Sequence, residues 1–208
     1  METAFNDIYS APGMAPWTFS DIPKEIVELV TENILTKNMR VLEIGCGEGN
    51  MAIYFAKRGM HVHAIDNSEN AIKFAIENAK KSGADVQFEK RDYLTIDRIK
   101  GRFDLVFDWR FLHEITDEEI RERYFKNINL LLGPKGKYLS VAFSGDSNFM
   151  GTGKLRVSPV GRTIYFSTLE ESKRIFQKYF RIIEAKHIGV PQKPDMKILA
   201  NYLLCERI

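Results

Sequence analysis

Glycine stands at every second position over Gly45, Gly47 and Gly49, directly after an apolar run that ends at Ile44. A turn this dense in glycine lets the backbone approach a ligand at a distance that any Cβ would forbid. It also lies where a buried strand hands over to a helix, the place at which open α/β sheets bind nucleotide-like cofactors. Glu43 precedes the first glycine by two places and Asn50 follows the last, so the spacing is G-x-G-x-G. Dinucleotide binders use G-x-G-x-x-G instead. Three more acids follow in order, each at or just after the end of a strand-like run. Asp66, at a strand end, is placed to accept hydrogen bonds from both hydroxyls of a ribose. The other role open to Asp66 is a helix N-cap, although Ser68 can cap without it. Asp92 with Tyr93 suits an adenine, the acid accepting from the exocyclic amine and apolar atoms covering the ring; a solvated turn acid is the alternative. Asp108-Trp109-Arg110 leaves the fourth run, where Asp108 and Arg110 can also pair and shape the loop. His113, beside Glu114, is the candidate general base or substrate contact, or else a helix-start or core histidine.

These residues need strands that end together. The pattern predicts strands over 39–44, 60–65, 84–89, 102–107 and 136–143. Helices are predicted over 49–58, 68–82 and 117–132, with a short turn near 95–99. Residues 1–19 read as loop. Ser20 and Asp21 then offer an N-cap to a helix that carries Pro23 in its first turn and runs to about Leu35. The last third breaks the rhythm. Residues 144–163 are rich in Gly, Ser and Asn and read as a long loop or insertion, a candidate substrate lid. A helix at 168–178, a strand at 179–188, a loop from Gly189 to Asp195 and a strand at 197–206 complete the chain, the two strands forming an antiparallel hairpin at one sheet edge. Alternating short apolar strands and helices imply an α/β, doubly wound sheet.

The chain has 208 residues and a net charge of +2, enough for one domain with a sizeable core and too little charge to imply a polyanionic partner. The expected partner is therefore a small molecule, with no nucleic acid and no membrane. No apolar stretch is long enough to span a bilayer, the first residues lack a signal-peptide pattern, and two cysteines make no disulfide framework. The expectation is a cytoplasmic protein with no metal site. Gly151-Thr-Gly-Lys154 fails as a phosphate loop, because no glycine lies five places before Gly153 and Leu155 follows the lysine.

Taken in order, Val41–Asn50, Asp66, Asp92, Phe103–Ile115 and Leu132-Gly-Pro-Lys-Gly-Lys-Tyr138 resemble the class I S-adenosylmethionine-dependent methyltransferases, from about residue 20 to the end. Lys135 stands where that family often has a second glycine, and the chain departs from the pattern after Gly145. Phe103-Asp-Leu-Val-Phe-Asp-Trp109, with Pro16-Trp17 and Pro23, is similar to the thiopurine and halide/thiol methyltransferase branch. The resemblance implies a single Rossmann-like domain over 1–208, with residues 1–37 as an N-terminal arm and helix. Its sheet would have seven mostly parallel strands and an antiparallel C-terminal strand. It also implies S-adenosylmethionine as cofactor and S-adenosylhomocysteine as product. The cofactor-binding set would be Trp17, Glu43, Gly45, Cys46, Gly47, Asp66, Asn67, Asp92, Tyr93, Asp108 and Trp109. In that set Glu43 would organise the turn near the methionine amino group, which carbonyls near Asp108 and Trp109 would also hold, and Trp17 would belong to a lid. The reaction implied is in-line methyl transfer to a small acceptor, possibly a thiol, with His113 as catalytic residue and Phe19, Trp109, Phe111 and Phe149 lining the acceptor pocket. The alternatives are a methyltransferase for protein or RNA and a non-catalytic cofactor-binding protein. A nicotinamide oxidoreductase would want the longer glycine spacing and a proton relay.

Overall fold

Arg40–Ile44 (β1) is buried along nearly its whole length, as the apolar Val41, Leu42 and Ile44 require of a parallel strand covered on both faces. The computed structural model describes residues 2–15, 18, 21–159, 161–193 and 196–208. Pro16, Trp17, Phe19 and Ser20 lie outside the described residues, and with them the expected lid, pocket and cap roles. The chain divides into two compact units, Met1–Ile96 and Asp97–Ile208. Seven of its strands make one sheet, in the order Val86–Lys90, His61–Asp66, β1, Phe103–Trp109, Leu132–Phe143, Met196–Arg207, Phe180–Lys193, with Met196–Arg207 running against both of its neighbours. This is the mostly parallel sheet with an antiparallel C-terminal strand that the sequence predicts.

In the first unit β1 pairs in parallel with His61–Asp66 (β2), and β2 with Val86–Lys90 (β3). Asn50–Ala56 (α3) connects β1 to β2, and Glu69–Ser82 (α4) connects β2 to β3. Helix α4 starts because the Ser68 hydroxyl accepts the Ala71 amide, and it stops at Gly83 in a left-handed conformation (φ 68°). Its buried residues Ala71, Ile72, Ala75 and Ala79 recur at helical spacing along one face. Two expectations need correction. The supposed loop 1–19 begins with a helix, Glu2–Ile8 (α1). Seven residues are too few for a helix that stands alone in water, and α1 is held by tertiary bonds. The Ser68 hydroxyl donates to Asn6 Oδ1 at 2.8 Å, and the Asn70 side-chain amide donates to the Asn6 carbonyl at 3.1 Å. The next helix, Lys24–Thr31 (α2), ends before Leu35, because Asn33 takes a left-handed φ of 57° just past its end.

In the second unit Phe103–Trp109 (β4) runs parallel to Leu132–Phe143 (β5), with Glu118–Leu131 (α5) between them. Asp117 caps α5 by accepting the Ile120 amide at 2.9 Å. Leu169–Phe176 (α6) opens on a capping box formed by Thr168 and Glu171. Phe180–Lys193 (β8) and Met196–Arg207 (β9) form the closing hairpin. The predicted loop from Gly189 is therefore strand as far as Lys193. Pro191 is tolerated there because β8 is an edge strand and its register shifts at that point.

The supposed loop 144–163 is also more ordered than its composition suggests. Leu155–Val157 (β6) pairs antiparallel with Thr163–Tyr165 (β7). The buried Arg156 guanidinium donates to the carbonyls of Gly145, Ser147, Phe149 and Gly153 at 2.6–3.3 Å and stands 4.1 Å from the Phe166 ring centroid. One arginine thus satisfies four carbonyls of a segment that has almost no ladder bonds of its own.

Candidate functional site

The glycine turn is fixed to the carboxyl end of β2. The amides of Gly45 and Cys46 both donate to the Ile65 carbonyl, at 2.9 and 3.0 Å. The Gly47 amide donates to Asp66 Oδ2 at 2.9 Å, and the Ser68 amide donates to Asp66 Oδ1 at 2.9 Å. Burial pushes the Asp66 carboxyl up, while these backbone bonds and one from Asn67 pull it down. A carboxylate offers about four acceptor positions, so three backbone donors leave it room for about one hydroxyl more. Because the Ser68 hydroxyl caps α4, Asp66 is not needed as the cap.

Gly45, Gly47 and Gly49 all have positive φ. A Cβ on Gly49 would stand 2.8 Å from the Phe88 ring, and one on Gly47 would stand 2.7 Å from the Tyr9 hydroxyl. The turn is therefore roofed by Tyr9, a buried residue in the N-terminal arm that sequence reasoning passed over. Glu48, inside the turn, holds that arm down. Its Oε1 accepts the Gly13 amide at 2.8 Å and the Thr18 hydroxyl at 3.3 Å. Neither residue carries a sequence signal, since the arm has no periodicity to place it over the turn.

Glu43 is 1 % exposed. Its carboxyl takes the amide of Ala52 in the first turn of α3, while Oε2 has no hydrogen-bond partner among the described residues. Burial, helped by the neighbouring Asp66 charge, holds the Glu43 carboxyl well above its usual range. A buried carboxylate oxygen without a donor is costly unless a cationic or N–H ligand group meets it. Such an atom beside a glycine cradle fits the amino group of an amino-acid-bearing cofactor. The Cys46 thiol is buried and is raised by that burial and by the Asp66 and Glu43 charges, so it is an unreactive thiol.

At the end of β3 the Arg91 amide donates to the Asp66 carbonyl at 2.9 Å, which brings Asp92 and Tyr93 to the strand end next to Asp66. Asp92 Oδ1 accepts the Leu94 amide at 2.8 Å and opens the short 3-10 helix Tyr93–Arg98. The first unit thus collects Glu43, Gly45, Cys46, Gly47, Asp66, Asn67, Asp92 and Tyr93 around the ends of three adjacent parallel strands.

In the second unit Asp108 is fully buried and accepts three hydroxyls: Tyr138 at 2.5 Å, Ser140 at 2.8 Å and Tyr124 at 3.0 Å. Burial raises its carboxyl to about 6 against the pull of those bonds. Tyr138 is set by packing, with its ring stacked on Phe176 at 5.6 Å. Asp108 therefore anchors the core under the end of β4 rather than pairing with Arg110, whose Nη1 donates to the Pro191 carbonyl at 2.9 Å. Trp109, the last residue of β4, is half-buried.

His113 is 4 % exposed and stacks on Phe143 at 4.2 Å. Burial lowers its pKa well below the usual 6.5, and the Arg110 and Arg162 charges add to this, so the ring is neutral near pH 7. The Phe143 amide donates to Nδ1 over a long 3.4 Å, which leaves the ring proton on Nε2, 3.9 Å from Glu114 Oε1. Glu114 Oε2 pairs with Arg162 at 2.5 Å. Of the expected pocket aromatics, Phe149 meets the Phe143 ring edge-on at 5.5 Å, and Phe111 lies 5.9 Å from Tyr124. A cavity of about 20 Å³ behind His113, lined also by Ser140, Ser167 and Asn201, has room for a water but not for a methyl acceptor.

Residues 35–186 match the model of the family described as "Methyltransferase domain". The 2-heptyl-1-hydroxyquinolin-4(1H)-one methyltransferase of Mycobacteroides abscessus is 30% identical over 129 residues, covering 62% of this chain and 56% of that protein. The ribosomal protein L11 methyltransferase of Thermotoga neapolitana is 36% identical over 128 residues, covering 59% and 47%. The chain thus spans about half the length of the curated relatives it matches. Among solved structures, the Burkholderia thailandensis 1,6-didemethyltoxoflavin-N1-methyltransferase, bound to 1,6-didemethyltoxoflavin and S-adenosylhomocysteine, superposes with a TM-score of 0.79. It is 22% identical, and the match covers 99% of this chain and 86% of that one, so the likeness is one of fold. With the family model covering well over half of its length, this chain belongs to the methyltransferase-domain family.

Proposed function

We propose that the chain transfers a methyl group from S-adenosylmethionine to a small-molecule acceptor by in-line displacement. The observation that carries the reading is the coupling of the glycine turn to Asp66, with Glu43 Oε2 left without a donor among the described residues. In this reading Asp66, with Asn67 beside it, holds the ribose. Asp92 and Tyr93 hold the adenine, and Gly45, Cys46 and Gly47 present backbone to the methionine moiety. Glu43 takes its amino group. When bound, the cofactor supplies a methyl already activated on a sulfonium, so the protein has mainly to align the acceptor and exclude water. His113, neutral with its proton on Nε2, serves as a substrate contact that donates. General-base work would need the other tautomer.

A small acceptor is supported by the relatives named for a hydroxyquinolone and a toxoflavin precursor, and by a net charge too low to favour a polyanion. None of the three proteins compared is named for a thiol substrate. Two buried free cysteines fit a cytoplasmic setting. The test is calorimetric titration with S-adenosylhomocysteine. Binding that weakens at least tenfold in Asp66→Ala is expected, and no binding, or equal binding by the variant, would sink the reading. A protein acceptor is the second reading, favoured by the 36% identity to a ribosomal-protein methyltransferase. Labelled-methyl transfer into a small-molecule library and into ribosomal protein, run side by side, separates the two.

A further inference from the structure

The second unit buries an asparagine whose side chain is only half satisfied. Asn201 of β9 is 1 % exposed. Its Nδ2 donates to the Ser167 carbonyl at 2.8 Å and to the Ser172 hydroxyl at 3.0 Å. A carbonyl can only accept, so the amide cannot be turned over and Oδ1 is the atom left over. That oxygen has no hydrogen-bond partner among the described residues. A buried acceptor in this state is destabilising unless a donor reaches it.

The cavity behind His113 is the place for such a donor. Ser140 and Ala142 of β5, two residues apart, share a sheet face with Asn201, which stands directly opposite Ala142. Ser172 of α6 and Arg121 of α5 close the space from the helix side. Because the side chains at 140, 142 and 172 are small, about 20 Å³ stays unfilled by protein. The protons around it can be counted. The Ser140 hydroxyl donates to Asp108 at 2.8 Å, so toward the cavity it can only accept. The Ser167 and Ser172 hydroxyls lie 2.7 Å apart, and one proton serves the bond between them. The second proton of that pair has no acceptor among the described residues. Arg121 Nη1 is already engaged by the Ile115 carbonyl at 2.6 Å. The lining therefore presents two acceptors and one hydroxyl donor. An anion is repelled by the two acceptors, and a metal or ammonium ion by the serine proton and the Arg121 charge. A water molecule matches all three groups, giving two protons and taking one.

We propose that one water is a fixed part of this fold, donating to Asn201 Oδ1 and to the Ser140 hydroxyl and accepting the second serine proton. It joins β5, β9 and α6 behind the turn that carries His113, whatever reaction the chain catalyses. The test is a high-resolution crystal structure of the full chain, together with water-to-protein cross-relaxation at the Asn201 side-chain amide measured in solution by NMR. An ordered water about 2.7–3.2 Å from Asn201 Oδ1 is expected, with a cross-peak to that amide. Ala142→Val and Ala142→Thr, nearly equal in volume, are both expected to displace it. The threonine hydroxyl can replace the lost donor and a valine methyl cannot, so the Val variant melts at least about 3 °C below the Thr variant. A dry cavity, an ion in place of the water, a protein donor on Oδ1, or a Val variant as stable as the Thr variant would overturn the proposal. If neither variant folds, the parent structure and its cross-peak decide the matter alone.

Discussion

The carboxylate of Asp66 accepts the amide of Gly47 at 2.9 Å, so the acid of the second strand and the turn of the first are parts of one rigid device. They lie 19 positions apart in sequence, with a helix and most of a strand between them, yet a change in one is transmitted directly to the other. Removing the acid therefore alters the turn's shape as well as its charge.

Gly47 is constrained from two sides, by its φ of 52° and by the Tyr9 hydroxyl over it. Gly47→Ala is expected to cost about 2–3 kcal/mol of stability, partly strain and partly overpacking. Adding Tyr9→Phe removes the atom nearest to the new methyl and should recover about 1 kcal/mol. Urea unfolding of the single and double variants measures both effects, and strict additivity would mean that the two residues do not touch.

Gly49 has less room still, with the Phe88 ring 2.8 Å and the Ala75 methyl 3.0 Å from the place of a Cβ, and a φ of 81°. Gly49→Ala should destabilise by about 3 kcal/mol or prevent folding outright. A soluble variant with an unchanged urea midpoint would contradict this packing.

Asp108 makes stability depend on pH. Its folded-state pKa is raised to about 6, above the ordinary carboxylate value of 3.8. Between those values the folded chain holds a proton that the unfolded chain has released. Stability from this group is therefore greatest in acid and is lost as pH rises through 6, by about 3 kcal/mol in all. His113 works in the opposite sense, because its lowered pKa makes the unfolded chain the better proton binder below about pH 6.5. The comparison that isolates Asp108 is wild type against Asp108→Asn across pH 4–7, where about 3 kcal/mol of differential slope is expected. A constant difference would remove the raised pKa.

Glu48 ties the N-terminal arm to the turn through Gly13 and Thr18. Bonds to a charged acceptor contribute about 1.5–3 kcal/mol each way. Glu48→Ala should accordingly raise the rate of limited proteolysis in the arm at least tenfold, with little change in the global melting temperature. Slower or equal cleavage would mean that the arm is held instead by the Asn6 bonds to Ser68 and Asn70 and by the apolar contacts of Tyr9, Ala15 and Ala71.

The order of strands and helices from β1 to α5 was readable because each element carries its own period, and the places of Asp66 and Asp108 were readable because each closes an apolar run at a strand end. Local pattern reached no further than that. Helix α1 is too short to announce itself and exists through Asn6 on Ser68 and Asn70. The 144–163 segment looks like loop by composition, and it is shaped by Arg156 reaching four carbonyls. Sequence determined the turn, its acids and the sheet, since glycine spacing and apolar runs act over a few residues. Tertiary structure decided what those residues touch. It put the Tyr9 hydroxyl over Gly47, turned Asp108 into a buried anchor for three hydroxyls, and left Glu43 Oε2 without a donor among the described residues. Those outcomes depend on residues far apart in the chain, whose approach is fixed only when the packing is complete.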